Sequence, residues 1–160
     1  MERTLNIVGV LIFASALGVR AIDPVVPKIA ADLAISPNTA ALLAAGFAAY
    51  GLVQPVLGPV ADRFGKAQVM IACLLLLAVS SFLSAITTNF WLLFVLRVLA
   101  GAACGGSFPV GMALISDFVP LSQRQVMIGR LLSATIAGNL LGAAISGVVA
   151  DVIHWRGMFV

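Results

Sequence analysis

From residue 58 to 66 the chain reads Gly58-Pro59-Val60-Ala61-Asp62-Arg63-Phe64-Gly65-Lys66, a charged tight turn with a long apolar stretch on either side. A hairpin of two membrane-crossing helices accommodates that arrangement directly. Its apolar walls sit in lipid, while Asp62, Arg63 and Lys66 stay in water at one membrane face. The turn therefore predicts an integral membrane protein.

Composition agrees. Hydrophobic residues are 62% of the 160 and charged residues 9%, whereas soluble domains are about half apolar and about a quarter charged. Seven prolines and fifteen glycines would weaken soluble helices, yet both types are common in spans packed against other spans. A net charge of +3 could suggest nucleic acid. The basic residues stand singly between apolar blocks, however, which fits loop orientation and excludes a nucleic-acid surface. Cys73 and Cys104 lie in apolar runs with no metal-type spacing, and the chain has one histidine. They read as small buried residues, and neither metal nor cofactor is expected. With no histidine cluster, paired carboxylates or nucleophile with a partner base, the chain does not read as an enzyme.

A span needs about 20 largely apolar residues. Five stretches qualify, at about 4–22, 40–61, 67–87, 90–116 and 125–150, bounds that carry an uncertainty of a few residues. The first has a rival reading as a secretory signal with Ala14-Ser15-Ala16 as its cleavage site, but the apolar run continues past it. The stretch from Asp23 through Pro24, Pro27 and Lys28 to Pro37 reads as an external loop. After the polar segment Asp151-Val152-Ile153-His154-Trp155-Arg156, the residues Gly157-Met158-Phe159-Val160 read as the opening of a truncated sixth span. With the N-terminus cytoplasmic, inner segments carry Arg3, Arg63, Lys66, Arg124 and Arg130, and outer ones Arg20, Lys28 and Arg156. That is the expected bias for a multi-pass protein of the cell membrane.

The chain also repeats itself. Gly58-Pro59-Val60-Ala61-Asp62 ends the second span and Gly147-Val148-Val149-Ala150-Asp151 ends the fifth. A weaker echo pairs Asp23-Pro24-Val25-Val26-Pro27 with Asp117-Phe118-Val119-Pro120. Three spans separate each match, so its two copies fall on opposite membrane faces, the trace of an inverted three-plus-three repeat.

On these residues the chain resembles the major facilitator superfamily. The segment from Gly58 to Lys66 is similar to that family's turn between its second and third helices, with Ala67 where a further basic residue is frequent. Arg97-Val98-Leu99-Ala100-Gly101 resembles its fourth-helix motif, with Ala100 in place of glutamine, and Asp117 to Pro120 with Arg124 resembles the turn between helices four and five. Gly138-Asn139-Leu140-Leu141-Gly142-Ala143-Ala144-Ile145-Ser146-Gly147 resembles the antiporter motif, with Ala143 replacing proline and Ser146 a glycine. The resemblance implies an all-α polytopic transmembrane bundle, the N-terminal half of an efflux-type member. It further implies a secondary transporter that exports a small solute by proton-coupled alternating access. Its partners would be the bilayer, the solute, and a missing C-terminal half or a second copy of the chain. The alternative is a truncated, non-transporting membrane fragment that serves as a packing module.

Gly58, Asp62, Arg63, Gly65, Lys66, Asp117 and Arg124 are the candidate latch at the cytoplasmic face. Gly58 suits a close backbone approach and Gly65 a left-handed turn. Asp62 ends a helix, where the macrodipole disfavours it, so a partner is expected in Arg63, Arg124 or Arg130. Arg97 lies about 10 Å of helix from Trp91, at 1.5 Å per residue. Two readings are open for it: a cavity-lining cation near Asp23 and Arg20, or a side chain that snorkels to the interface. Tyr50, Gln54 and Asn139 are polar groups within spans, able either to bind solute or to bond a neighbouring helix. Gly101 with Gly105, and Gly138 with Gly142, read as close-packing pairs.

Overall fold

The computed structural model describes the backbone of residues 2–159 and the side chains of residues 6–159; Arg3 and Val160 lie outside the described side chains. Seven α-helices are present: α1 (Glu2–Arg20), α2 (Val26–Asp32), α3 (Pro37–Phe47), α4 (Tyr50–Phe64), α5 (Lys66–Ile86), α6 (Phe90–Phe118) and α7 (Leu121–Val152). Short 3-10 turns occupy Asp23–Val25 and Trp155–Phe159. They combine into five rods long and apolar enough to cross a membrane: Asn6–Asp32, Pro37–Phe64, Lys66–Ile86, Phe90–Phe118 and Leu121–Val152.

The first rod corrects the sequence reading. Residues 23–32 were expected to be loop, but the chain turns briefly at Ala21 and Ile22 and then continues as helix to Asp32. Pro24 and Pro27 each stand in the first turn of a helical segment. A missing N–H costs nothing there, so these prolines start helix instead of stopping it. The second rod is also interrupted, at Ala48 and Ala49. Elsewhere local chemistry sets the ends. Ser36 accepts from Thr39 N and precedes Pro37, and Asn89 Oδ1 accepts from Trp91 N at 2.9 Å and Leu92 N at 3.2 Å, capping α6. Gly65, at φ +94°, turns the chain from α4 into α5, a conformation that L side chains rarely adopt.

Helix α6 is the axle. It contacts α1, α3, α4, α5 and α7, and half of its most apolar window is buried. Two apolar clusters fill the bundle, one towards each end. Near Gly65 are Ile12, Met70, Val110 and Ile115, and at the other end Ile22, Leu43, Leu93 and Trp155. Glycines allow the tight crossings. A Cβ at Gly105 would stand 2.6 Å from Tyr50 O, and one at Gly138 2.7 Å from Phe13 O. Gly101 meets Phe47 O and Gly142 meets Leu17 O in the same way. Gly58 differs: no atom lies within 4 Å of its added Cβ, so among the described residues it admits no neighbouring backbone.

The helices alternate in direction, with Asp117 at the end of α6 beside Lys66, and Asp151 at the end of α7 beside Lys28. The repeated segments ending in Asp62 and Asp151 thus lie at opposite ends of the bundle.

Candidate functional site

Between α1, α4, α6 and α7 a cavity of about 260 Å³ opens on the bundle side. Its polar lining comes from Ser15, Tyr50, Gln54, Ser107, Thr135 and Asn139, set among apolar walls such as Ile12, Val19 and Phe108. The Ser15 and Ser107 hydroxyls meet at 3.0 Å across α1 and α6, and Ser15 also donates to Leu11 O. Thr135 is likewise satisfied by Leu131 O. Asn139 Oδ1 is buried without a hydrogen-bond partner among the described residues. An unmet acceptor of this kind costs about 1–3 kcal/mol, a cost relieved by any ligand that brings a donor. A mostly apolar concavity with few convergent polar groups suits a small amphipathic molecule.

Of the six residues the sequence offered for a solute or proton cavity, Tyr50, Gln54 and Asn139 line this one. Arg20 and Asp23 instead pair with each other at 3.1 Å, both well exposed. Asp23 is therefore engaged away from Arg97. Arg97 is 2% exposed, which removes the snorkelling alternative, yet among the described residues it has no carboxylate partner. Its guanidinium lies 5.3 Å from the Phe47 ring centre and 4.8 Å from that of Phe159, with Nε and Nη1 unpartnered. Desolvated cation–π contacts contribute about 2 kcal/mol each, against several for burying an ion. Arg97 remains an undercompensated charge.

The Gly65 end arranges its charges differently from expectation. Lys66 Nζ reaches Asp117 Oδ2 at 2.5 Å and Ala113 O at 3.5 Å, tying α5 to α6. Arg124 turns back on the last carbonyls of α6, donating to Ser116 O at 2.6 Å and Val119 O at 3.0 Å. It thus satisfies orphan C=O groups where the helix dipole favours a cation. Arg63 lies over its neighbour Phe64, and Arg130 lines a separate pocket with Asn6 and Phe13. Asp62 consequently has no ion-pair partner among the described residues, and it is exposed.

At the opposite end stands a cluster that the sequence reading missed. Asp32 Oδ2 accepts from Trp155 Nε1 at 3.0 Å and lies 3.5 Å from Arg156 Nη2. Arg156 also donates to Ala85 O and Thr87 O and covers the Trp155 ring. Taking residues 23–37 as loop hid Asp32. Ser15 was read only as part of a cleavage site, whereas its partner Ser107 lies three residues from Cys104, on the same cavity-facing side of α6. That i, i+3 spacing was the available signal.

Comparison with known proteins decides the family. A model of the Major Facilitator Superfamily matches residues 8–160. The chain belongs to the major facilitator superfamily. It is a multi-pass membrane protein of this transporter family, and its bundle is all-α. The chain is 32% identical over 155 residues to the quinolone resistance protein NorA of Staphylococcus aureus, covering 96% of this chain and 40% of NorA. It is also 32% identical over 150 residues to multidrug resistance protein 1 of Bacillus subtilis strain 168, covering 93% of this chain and 39% of that protein. The chain thus spans about two fifths of the length of the curated relatives it matches.

Proposed function

We propose that this chain forms the N-terminal half of a secondary transporter of the cell membrane, exporting a small amphipathic solute by proton-coupled alternating access. The cavity carries the reading: a packed face of four spans presents hydroxyl and amide groups, with one buried acceptor left open. The coverage of NorA supports a second bundle completing the cavity, supplied by a C-terminal half or by a second copy. The open rim agrees, since Tyr50 is 40% exposed and Gln54 and Pro55 are exposed beside it. The basic residues Arg63, Lys66, Arg124 and Arg130 support a reading in which the Gly65 end, and with it the N-terminus, faces the cytoplasm. Asp62, without an ion-pair partner among the described residues, is the group offered to the second bundle as the latch.

The relatives' names make quinolones the first solutes to try. In inside-out vesicles under an imposed proton gradient, a fluorescent quinolone should accumulate when the chain is paired with a C-terminal half. The absence of both accumulation and binding in every pairing would defeat the reading and leave a packing module. Accumulation unaffected by a protonophore would remove proton coupling alone.

A further inference from the structure

The Asp32 cluster and Arg97 belong to one continuous stack. Asp32 Oδ2 accepts the indole N–H of Trp155 at 3.0 Å. The Trp155 ring meets Phe159 edge-on at 6.1 Å between centres. Phe159 in turn lies 4.8 Å from the Arg97 guanidinium, whose other ring neighbour is Phe47 at 5.3 Å. Trp155, Phe159 and Arg97 are all buried, so the stack has little room to relax. We infer that Asp32 is the positioning residue for Arg97, acting through Trp155 and Phe159.

The argument is one of orientation. Among the described residues the guanidinium has no carboxylate or carbonyl partner, so it takes its place from the rings beside it, because the attraction depends on lying near the ring face. Phe159 belongs to a 3-10 turn of five residues, Trp155–Phe159, which has few hydrogen bonds of its own to hold a ring. Two linked anchors hold that turn. Arg156 is bound to the end of α5 through Ala85 O and Thr87 O and also lies 3.5 Å from Asp32 Oδ2. Trp155 is bound to Asp32 at the end of the first span. The first anchor sets the height of the turn, and the second sets the rotation that brings Phe159 over Arg97. His154, 3.9 Å from Asp32 Oδ1 and half exposed, lies at the rim and is not needed.

The consequence for transport rests on the function proposed above, but the test does not pass through transport. In the full chain labelled with 15N-arginine, the Arg97 Nε–H resonance should be protected from exchange and shifted upfield by two rings. Arg97→Lys identifies it among the seven arginines by its loss. Asp32→Ala should move it to the region of the exposed arginines. Asp32→Asn, whose amide oxygen still accepts the indole N–H, should restore it. Trp155→Phe, which keeps a ring but removes the donor, should shift it as Asp32→Ala does. An unmoved signal in Asp32→Ala overturns the inference, as does an Asn variant that behaves like Ala. Should Asp32→Ala fail to insert, the Asn and Phe variants decide between themselves. A chain that shows these shifts yet binds no quinolone would defeat the transport reading and leave the positioning role standing.

Discussion

Lys66 and Asp117, 51 positions apart, close to 2.5 Å and fasten the start of α5 to the end of α6. The lysine is 19% exposed and the aspartate 48%, so the pair is only partly shielded from water. Single alanine substitutions should each lower thermal stability modestly, with a coupling in the double-mutant cycle of about 0.5–1 kcal/mol. Thermal melts in detergent at two salt concentrations check this. A coupling that high salt fails to reduce would show that the contact is not ionic.

Asp62 has no ion-pair partner among the described residues, so Asp62→Asn should leave the melt within about 0.5 kcal/mol of the parent. Solute flux of the assembled transporter should nevertheless fall. Equal losses of inserted protein and of flux would assign Asp62 to folding.

Gly142→Ala and Gly101→Ala place a methyl against the carbonyls of Leu17 and Phe47. Backbone cannot yield as a side-chain tip does, so each should destabilise the chain by about 1–3 kcal/mol. Gly58→Ala meets open space and should not destabilise the isolated chain. A flux defect in Gly58→Ala, with a normal melt, would locate the contact of that glycine on the second bundle. Helical melts followed by circular dichroism separate the two classes.

Arg97→Met removes a buried charge whose Nε and Nη1 lack acceptors. Stability should hold or rise by about 1–4 kcal/mol, because an apolar side chain replaces an uncompensated ion. Flux should drop if the cation serves transport. Arg97→Lys keeps the charge but loses the planar stacking between Phe47 and Phe159, and should rescue poorly. A strongly destabilised Arg97→Met would contradict the missing-partner geometry.

Asn139→Ala takes away an acceptor that no described group uses. The chain should fold as well as before, while quinolone binding weakens about tenfold, the loss of one hydrogen bond. Equilibrium titration of quinolone fluorescence gives the answer.

What the sequence could determine follows from short-range physics. Apolar runs near bilayer thickness marked the rods, and a charged turn between two of them marked the membrane. The family motifs were legible because a glycine turn or a charge inside a span has few alternative explanations. Partners were not legible. Asp62 was expected to find a cation nearby, but Lys66 lies closer to Asp117 and Arg124 is drawn to the ending carbonyls of α6. That choice is made by which helix ends meet in space. Pro24 and Pro27 read as part of an external loop, whereas one more helical stretch carries Asp32 up to Trp155. Proline is ambiguous in one dimension, since it stops a helix it follows and starts a helix it precedes. Arg97 shows the division most plainly. Its depth could be counted along α6, but its surroundings of two phenylalanine rings, from Phe47 on the second rod and Phe159 near the chain's end, exist only once the bundle has packed.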